Sequence, residues 1–402
     1  MKIGYSEQDT QFRREIRGWL ESELAKPENT KFRKLASSWS DDFALRMEWE
    51  KILGRAGLSC IAWPRALGGR DASLSQQAIF LEEYTRSGAP NRVTIIGVEF
   101  AGPTLMIYGT EEQKKRFLPK IAAGEEVWAQ GFSEPNAGSD LTNVQTRARL
   151  EDGPNGREWV FDGQKIWTSF GHVADWIFVL CRTEPGSRGP QGLSYILVPL
   201  RQPGITVRPI RQITGGAEFN EVFFDGARCP VENVVGAVGD GWKVAISTLT
   251  FERGISTFGA QLVYEREYEQ LVSVARERGR LADSTIRSRL MDIRIGLTVM
   301  KANSQRIVSN IERNSSGGEL LVNKLFYTNL HQKLSELALD IVGAETDFVE
   351  LEPASQLYHP VMERYLSSRS DSIGAGTDQV QRNAIAERVL RLPKEPRPTA
   401  KA

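Results

Sequence analysis

Three short segments carry residue types that could do chemistry. The first, Gln130-Gly131-Phe132-Ser133-Glu134-Pro135-Asn136-Ala137-Gly138-Ser139-Asp140, gathers small residues and hydroxyls. Such a stretch lets backbone amides approach a planar or phosphorylated ligand. A plain strand followed by a glycine turn accounts for it equally well. The second is Gly163-Gln164-Lys165-Ile166-Trp167-Thr168-Ser169. Trp167 beside two hydroxyls could stack on an aromatic ring while the hydroxyls bond its edge. Taken alone, it reads better as a buried strand tryptophan, because aromatics are mostly core. The third, Gly374-Ala375-Gly376-Thr377-Asp378-Gln379-Val380-Gln381-Arg382, leads small residues into a helix N-terminus. Exposed N–H groups there could hold an anion or a carbonyl oxygen. The segment lacks GxGxxG and follows no strand, so a Rossmann dinucleotide site is not supported.

The elements that must position these segments fall into three stretches. Residues 1–127 read as helical, with Gln76 to Tyr84 of helix-forming composition. Thr110 and Gln113 form a capping-box start, and Gly68-Gly69 and Gly102-Pro103 punctuate the stretch. From 128 to 236 short apolar runs alternate with turn pairs. Trp176 to Leu180, Leu193 to Leu200 and Ile205 to Ile210 read as strands. Asp152-Gly153, Asn155-Gly156, Asp162-Gly163 and Asp225-Gly226 read as hairpin-type turns. Residues 237–395 return to helical periodicity. Ile286, Leu290, Ile293, Leu297 and Met300 mark a seam, within the chain or between subunits, and Leu334, Leu337, Ala338 and Ile341 repeat it. Asp378 with Gln381 is expected to cap a last helix running through Ala386 and Val389. Residues 396–402 read as a frayed tail. The fold class expected is α+β, mostly helical: helices, a β insert, then a helical bundle.

Composition narrows the function classes. The 402 residues carry 51 Lys plus Arg and 51 Asp plus Glu, so the net charge is zero. A duplex-binding protein normally has a basic excess, so nucleic acid is a poor expectation. The apolar runs are too short for a membrane span, and the N-terminus has no signal-peptide pattern. Cys60, Cys181 and Cys229 form no CxxC, which suits a reducing cytoplasm. With His172, His331 and His359 scattered, no metal site is expected.

In order and spacing the three segments resemble the acyl-CoA dehydrogenase family of flavoproteins. The resemblance also covers Trp63-Pro64 with Gly68-Gly69, Gly109-Thr110-Glu111-Glu112-Gln113-Lys114, Glu221-Val222-Phe223-Phe224-Asp225 and Gly239-Asp240-Gly241-Trp242. It implies an N-terminal helical domain, a middle β domain and a C-terminal four-helix bundle. It implies FAD as cofactor, desaturation of an acyl-CoA thioester, and an electron-transfer flavoprotein as acceptor. By motif position, Phe132, Ser133, Trp167 and Ser169 should meet the flavin, and Ser139 the pantetheine. Thr377 and Gln379 should bind the adenosine part. Arg278 matches an arginine that reaches a neighbouring subunit's FAD pyrophosphate, and Asp340, Ile341 and Gly343 stand at another FAD-contacting turn. The Phe-Gly that usually follows this arginine is absent, Ala344 replaces a common glycine, and Asn143 replaces a small residue. The resemblance also implies a homotetramer or an α2β2 heterotetramer.

Many members carry the catalytic glutamate where this chain has Ala375. Alanine takes no proton, so the base must lie elsewhere or the chain is not catalytic. Glu252-Arg253 matches the placement used by isovaleryl-CoA dehydrogenases, and a dry pocket would make that carboxylate a stronger base. The plain alternative is a Glu on a solvated helix face. A backbone N–H survives at Ala375 and could serve a developing oxyanion. The small pair Gly374-Ala375 points to a branched, cyclic or otherwise bulky acyl group, sterol-like among them. A non-catalytic partner subunit and a flavin oxidase of the same fold are the competing readings.

Overall fold

The computed structural model describes residues 6–35, 42–153, 156–312, 318–343 and 360–394. They divide into a first unit, Ser6–Gln212 with Gly216–Ile255, and a second, Ile213–Gly215 with the chain from Ser256 onward.

In the first unit, helix α1 (Glu7–Ala25) begins at Ser6, whose Oγ accepts the Asp9 N–H while Asp9 accepts the Ser6 N–H. Helices α2 (Phe43–Arg55), α3 (Leu74–Ser87), α4 (Gly102–Tyr108) and α5 (Glu111–Ala122) follow. The expected box at α5 is present: Gln113 N–H donates to Thr110 Oγ1 at 3.2 Å, and Thr110 N–H to Gln113 Oε1 at 3.0 Å. The Gln113 amide then donates to Glu232 O and Val234 O, tying α5 to the end of the β layer. Gly69 lies so close to Trp63 that a Cβ there would sit 2.0 Å from the Trp63 carbonyl oxygen.

Seven strands form one sheet: β1 (Trp128–Gly131), β2 (Arg147–Gly153), β3 (Gly156–Ser169), β4 (Trp176–Arg182), β5 (Leu193–Pro199), β6 (Ile205–Pro209) and β7 (Phe219–Pro230). Their order is β1-β4-β2-β3-β7-β6, with β5 on β4. Strands β4 and β5 are buried along nearly their whole length, which explains their continuous apolar runs. Two of the four turn pairs behave otherwise than expected. Gly153 pairs with Gly156 across a hairpin, of which Asn155 lies outside the described residues. Asp162-Gly163 and Asp225-Gly226, however, lie inside long strands opposite one another. Phe161 pairs with Ala227 and Asp162 with Asp225, so Gly226 is an extra residue in a β-bulge. Its N–H donates to Asp162 Oδ1 at 3.2 Å, and its φ is +69°. The bulge uses turn-type Asp-Gly chemistry: a left-handed glycine beside a carboxylate acceptor.

Helix α6 (Gly241–Glu277) crosses the division between the units. The second unit adds α7 (Ser284–Glu312), α8 (Glu319–Val342), α9 (Pro360–Asp371) and α10 (Asp378–Ala384). The seam Ile286, Leu290, Ile293, Leu297 and Met300 is intrachain. It packs with Leu330, Leu334, Leu337 and Ile341 of α8 and with Tyr264, Leu271 and Ala275 of α6. Gly296 lets the two helices close, since a Cβ there would meet Leu330 Cδ1 at 2.5 Å. The cap of α10 is Thr377, not Asp378. Thr377 Oγ1 accepts the Val380 N–H at 3.1 Å, while the Asp378 carboxylate is buried against Thr328 and Asn329. The helix turns into a π segment at Ile385–Val389. Residues 396–402 lie outside the described residues. Among the described residues no helix is long and apolar enough to cross a membrane, and no group of three or more His, Cys, Asp or Glu could hold a metal.

Candidate active site

The first two segments meet in the sheet. Ile166 N–H donates to Ser133 O at 2.9 Å, so the segment just after β1 lies against the C-terminal part of β3. Beneath this contact the fully buried Lys165 ammonium donates to Phe132 O at 3.0 Å, Leu180 O at 2.7 Å and Glu134 Oε1 at 2.7 Å. Glu134 also accepts the N–H groups of Gln145 and Thr146. Burial works against the Glu134 charge, but Lys165 and these donors outweigh it and hold the carboxyl below its ordinary range. Neither residue's task is legible in the local sequence. Their partnership spans 31 positions, and no periodicity announces it.

Trp167 is not a buried strand residue. It sits where β3 slips register against β7, at φ +61°, and the residue is 56% exposed. A left-handed, solvent-facing indole is strained and apolar, and both features suit a residue that meets a flat ligand. It touches Phe219 edge-on, at 6.3 Å between centroids. Ser133 and Ser169 are half-buried, and neither hydroxyl has a hydrogen-bond partner among the described residues. Between Trp167 and Ser169, the buried Thr168 Oγ1 is also unpartnered. This strip fits a planar heteroaromatic ring with a polar edge. Phe132 departs from its expected role. Its ring packs in the core against Phe178 and Tyr195, so only its backbone remains for a ligand. Ser139 is exposed in the bend after the Glu134–Ala137 turn, and Asn143 is exposed beyond it.

In the second unit, Gly374 and Ala375 are exposed, and Ala375 and Gly376 adopt φ +52° and +88°. The carbonyl of Gly376 accepts from Lys324, and Gln381 lies 3.5 Å from both this carbonyl and that of Ala375. The N–H groups of Ala375 and Gly376 have no partner among the described residues. An exposed turn with its acceptors engaged and its donors unpaired can receive an oxygen that bears negative charge. Gln379 is exposed one turn on.

The C-terminus of α8 gathers the remaining expected residues. Arg278 donates to Val342 O at 3.1 Å and Arg280 to Asp340 O at 3.1 Å, so both arginines cap this chain's own helix. Asp340 pairs with Arg289. Ile341 is buried in the helical core, which withholds its side chain from a cofactor. Gly343 ends the helix at φ +75°. Glu252 and Arg253 lie on α6, but their side chains are outside the described residues.

In chain order, helices precede and follow the seven-stranded sheet, and a strained aromatic strip marks the end of β3. Comparison with known proteins defines the class. The acyl-CoA dehydrogenase N-terminal, middle and C-terminal domain models match residues 6–125, 129–227 and 239–390. The chain belongs to the acyl-CoA dehydrogenase family and is an acyl-CoA dehydrogenase in the class of its activity. It is 46% identical over 387 residues to the acyl-CoA dehydrogenase IpdE1 of Mycobacterium tuberculosis, covering 96% of this chain and 98% of that one. It is likewise 46% identical over 393 residues to IpdE1 of Mycolicibacterium smegmatis, covering 96% and 98%. Among solved structures it is similar to the Tcur3481-Tcur3483 steroid ACAD, with a TM-score of 0.84 and 30% identity over 98% of this chain and 100% of that one. It is also similar to the ChsE4-ChsE5 complex from Mycobacterium tuberculosis, with a TM-score of 0.79, 29% identity, and 98% and 100% coverage.

Proposed function

We propose that the chain is an FAD-dependent acyl-CoA dehydrogenase that desaturates the Cα–Cβ bond of a bulky, branched or cyclic acyl-CoA. The observation that carries this reading is the exposed Gly374-Ala375 turn, small in side chain and unpaired in its Ala375 N–H. When bound, FAD supplies the acceptor for the two electrons and the hydrogen leaving Cβ. Trp167, Ser133, Ser169 and the Phe132 backbone would hold its ring, and Thr377 and Gln379 its adenosine part. Arg278, Asp340, Ile341 and Gly343 would hold the remainder through backbone and surface groups. Glu252 takes the α-proton, and Arg253 and Gly374 border the acyl group. The Ala375 N–H donates to the thioester oxygen as negative charge gathers there. Ser139 meets the pantetheine. The small side chains at Gly374 and Ala375 leave room beside Cα and Cβ. The steroid ACAD among the structural relatives supports a bulky ring-bearing acyl group. Electrons leave to an electron-transfer flavoprotein.

The test is an anaerobic titration of the purified protein with a panel of acyl-CoA thioesters, following loss of the oxidised flavin's visible absorption. Bleaching by a cyclic or branched thioester, abolished in Glu252→Gln, is the expected result. Preference for short straight chains would overturn the bulky-acyl reading.

A second reading is favoured by one observation: two structural relatives are named as two-chain assemblies. On this reading the chain is one half of an α2β2 enzyme rather than a homotetramer. One FAD per chain with full activity in a homogeneous preparation would exclude it.

A further inference from the structure

The Gly374–Thr377 turn has no regular structure of its own; Ala375 is strained at φ +52°, whereas Gly376 adopts its positive φ freely. Its backbone is held from both ends. Gly374 N–H donates to Ser370 O at 2.9 Å, and Asp378 N–H to Ser372 O at 3.0 Å. Lys324 of α8 spans these two ends: its Nζ donates to Gly376 O at 2.7 Å and to Asp371 O at 3.1 Å. Lys324 is buried, so these charge-assisted bonds form away from water.

The Asp371 side chain is fixed in turn by His331, whose Nδ1 lies 2.5 Å from Asp371 Oδ2. His331 is buried and stacked on Tyr264, with 4.1 Å between ring centroids. Its Nε2 lies 3.3 Å from Glu267 Oε2, and Arg364 Nε lies 3.6 Å from Glu267 Oε1. The Tyr264 hydroxyl lies 3.5 Å from Asp371 Oδ2. The groups around His331 are therefore Glu267 and Tyr264 of α6, Asp371 and Arg364 of α9, and Lys324 of its own helix. Asp378 completes the set at the start of α10. With His331 protonated, the cations Lys324, His331 and Arg364 balance the carboxylates Glu267, Asp371 and Asp378. Burial alone would lower the His331 pKa, but the hydrogen bond to Asp371 and the charges of Glu267 and Asp371 outweigh it and push it up to about 9.

We propose that Lys324 and the His331–Asp371 pair are positioning residues that lock the Gly374–Thr377 turn and aim the Ala375 N–H at the substrate's thioester oxygen. This rests on the reading of Ala375 as oxyanion donor. A donor that is loosened but not removed weakens transition-state stabilisation more than it weakens binding. Loss of the lock should therefore lower kcat while leaving KM nearly unchanged.

The experiment uses the flavin-loaded enzyme with crotonyl-CoA and cyclohex-1-enecarbonyl-CoA, each labelled with carbon-13 at the thioester carbonyl. Infrared difference spectra read the carbonyl stretch on binding, which moves to lower wavenumber when N–H groups polarise it. Wild type is expected to show that displacement. In Lys324→Met and His331→Gln it should shrink, with kcat for the saturated thioesters lowered about 10-fold or more and KM changed less than about 3-fold. Lys324→Arg should restore most of both. Wild type should also lose displacement as pH rises through about 9, which requires no variant to fold. Folded variants that keep the full displacement and kcat would overturn the proposal. So would a wild-type displacement that stays constant from neutral pH to about 10. A wild-type band that does not move at all would sink the oxyanion reading itself, separating its failure from failure of the lock.

Discussion

The Lys165 ammonium and the Glu134 carboxylate meet at 2.7 Å in the interior of the β layer, with both side chains almost wholly removed from water. The pair links β3 to the turn that follows β1, and it lies directly under Phe132 and Ser133. Truncating one member leaves the other as an uncompensated buried charge. Glu134→Ala should cost about 3–5 kcal/mol of unfolding free energy, read by denaturant titration, and the purified protein should retain less flavin. Replacing both together, as Lys165→Met with Glu134→Leu, should recover much of the stability without restoring the flavin.

Replacing Trp167 tests whether its task is binding or folding. Its exposed indole adds little packing, and its left-handed φ opposes any Cβ-bearing side chain. Trp167→Gly should therefore stay within about 1 kcal/mol of the parent in stability. Flavin retention, measured by visible absorption per chain, should fall sharply. A stability loss of several kcal/mol with flavin intact would make Trp167 a structural residue.

Ala375→Gly keeps the backbone N–H and removes the strained Cβ at φ +52°. Turnover should remain within about 3-fold of wild type, with no loss of thermal stability. A collapse of kcat would mean that the alanine methyl itself contacts the acyl group. Comparing branched and straight-chain thioesters in the same variant would show it.

Gly69→Ala should be strongly destabilising. The added methyl would lie 2.0 Å from the Trp63 carbonyl oxygen, and backbone cannot move aside cheaply. A loss of about 2 kcal/mol or more in thermal or denaturant unfolding is expected, without altered substrate preference.

His331 makes stability pH-dependent in a definite direction. Its pKa of about 9 in the folded chain stands above the ordinary 6.5, so the folded state holds the proton more tightly. The stabilisation is complete below pH 6.5 and is lost as pH rises through about 9. The amount is on the order of 3 kcal/mol. His331→Gln should flatten the curve in this window, as read by denaturant unfolding at a series of pH values.

Local chemistry made much of the fold legible. Thr110 and Gln113 declared the start of α5, and the apolar seam from Ile286 to Met300 declared two packed helices. The residues that failed to declare themselves are those whose partners lie far along the chain. Asp162-Gly163 and Asp225-Gly226 have turn composition, yet cross-strand pairing makes them a bulge. Trp167 has the composition of a core residue, yet a register slip turns it outward. Phe132 lies inside the first small-residue segment, yet its ring joins Phe178 and Tyr195 in the interior.

The sequence by itself determined the family, the order of helical and β layers, the absence of a glutamate at Ala375 and the presence of one at Glu252. These follow from residue identity and short-range spacing, which a linear chain records directly. Only the tertiary structure decided that Lys165 pairs with Glu134, that Lys324 grips Gly376, and that His331 stands between Asp371 and Glu267. Each of these contacts joins groups that lie far apart along the chain. Each is strong because folding removes it from water, a condition that exists only once the elements have packed.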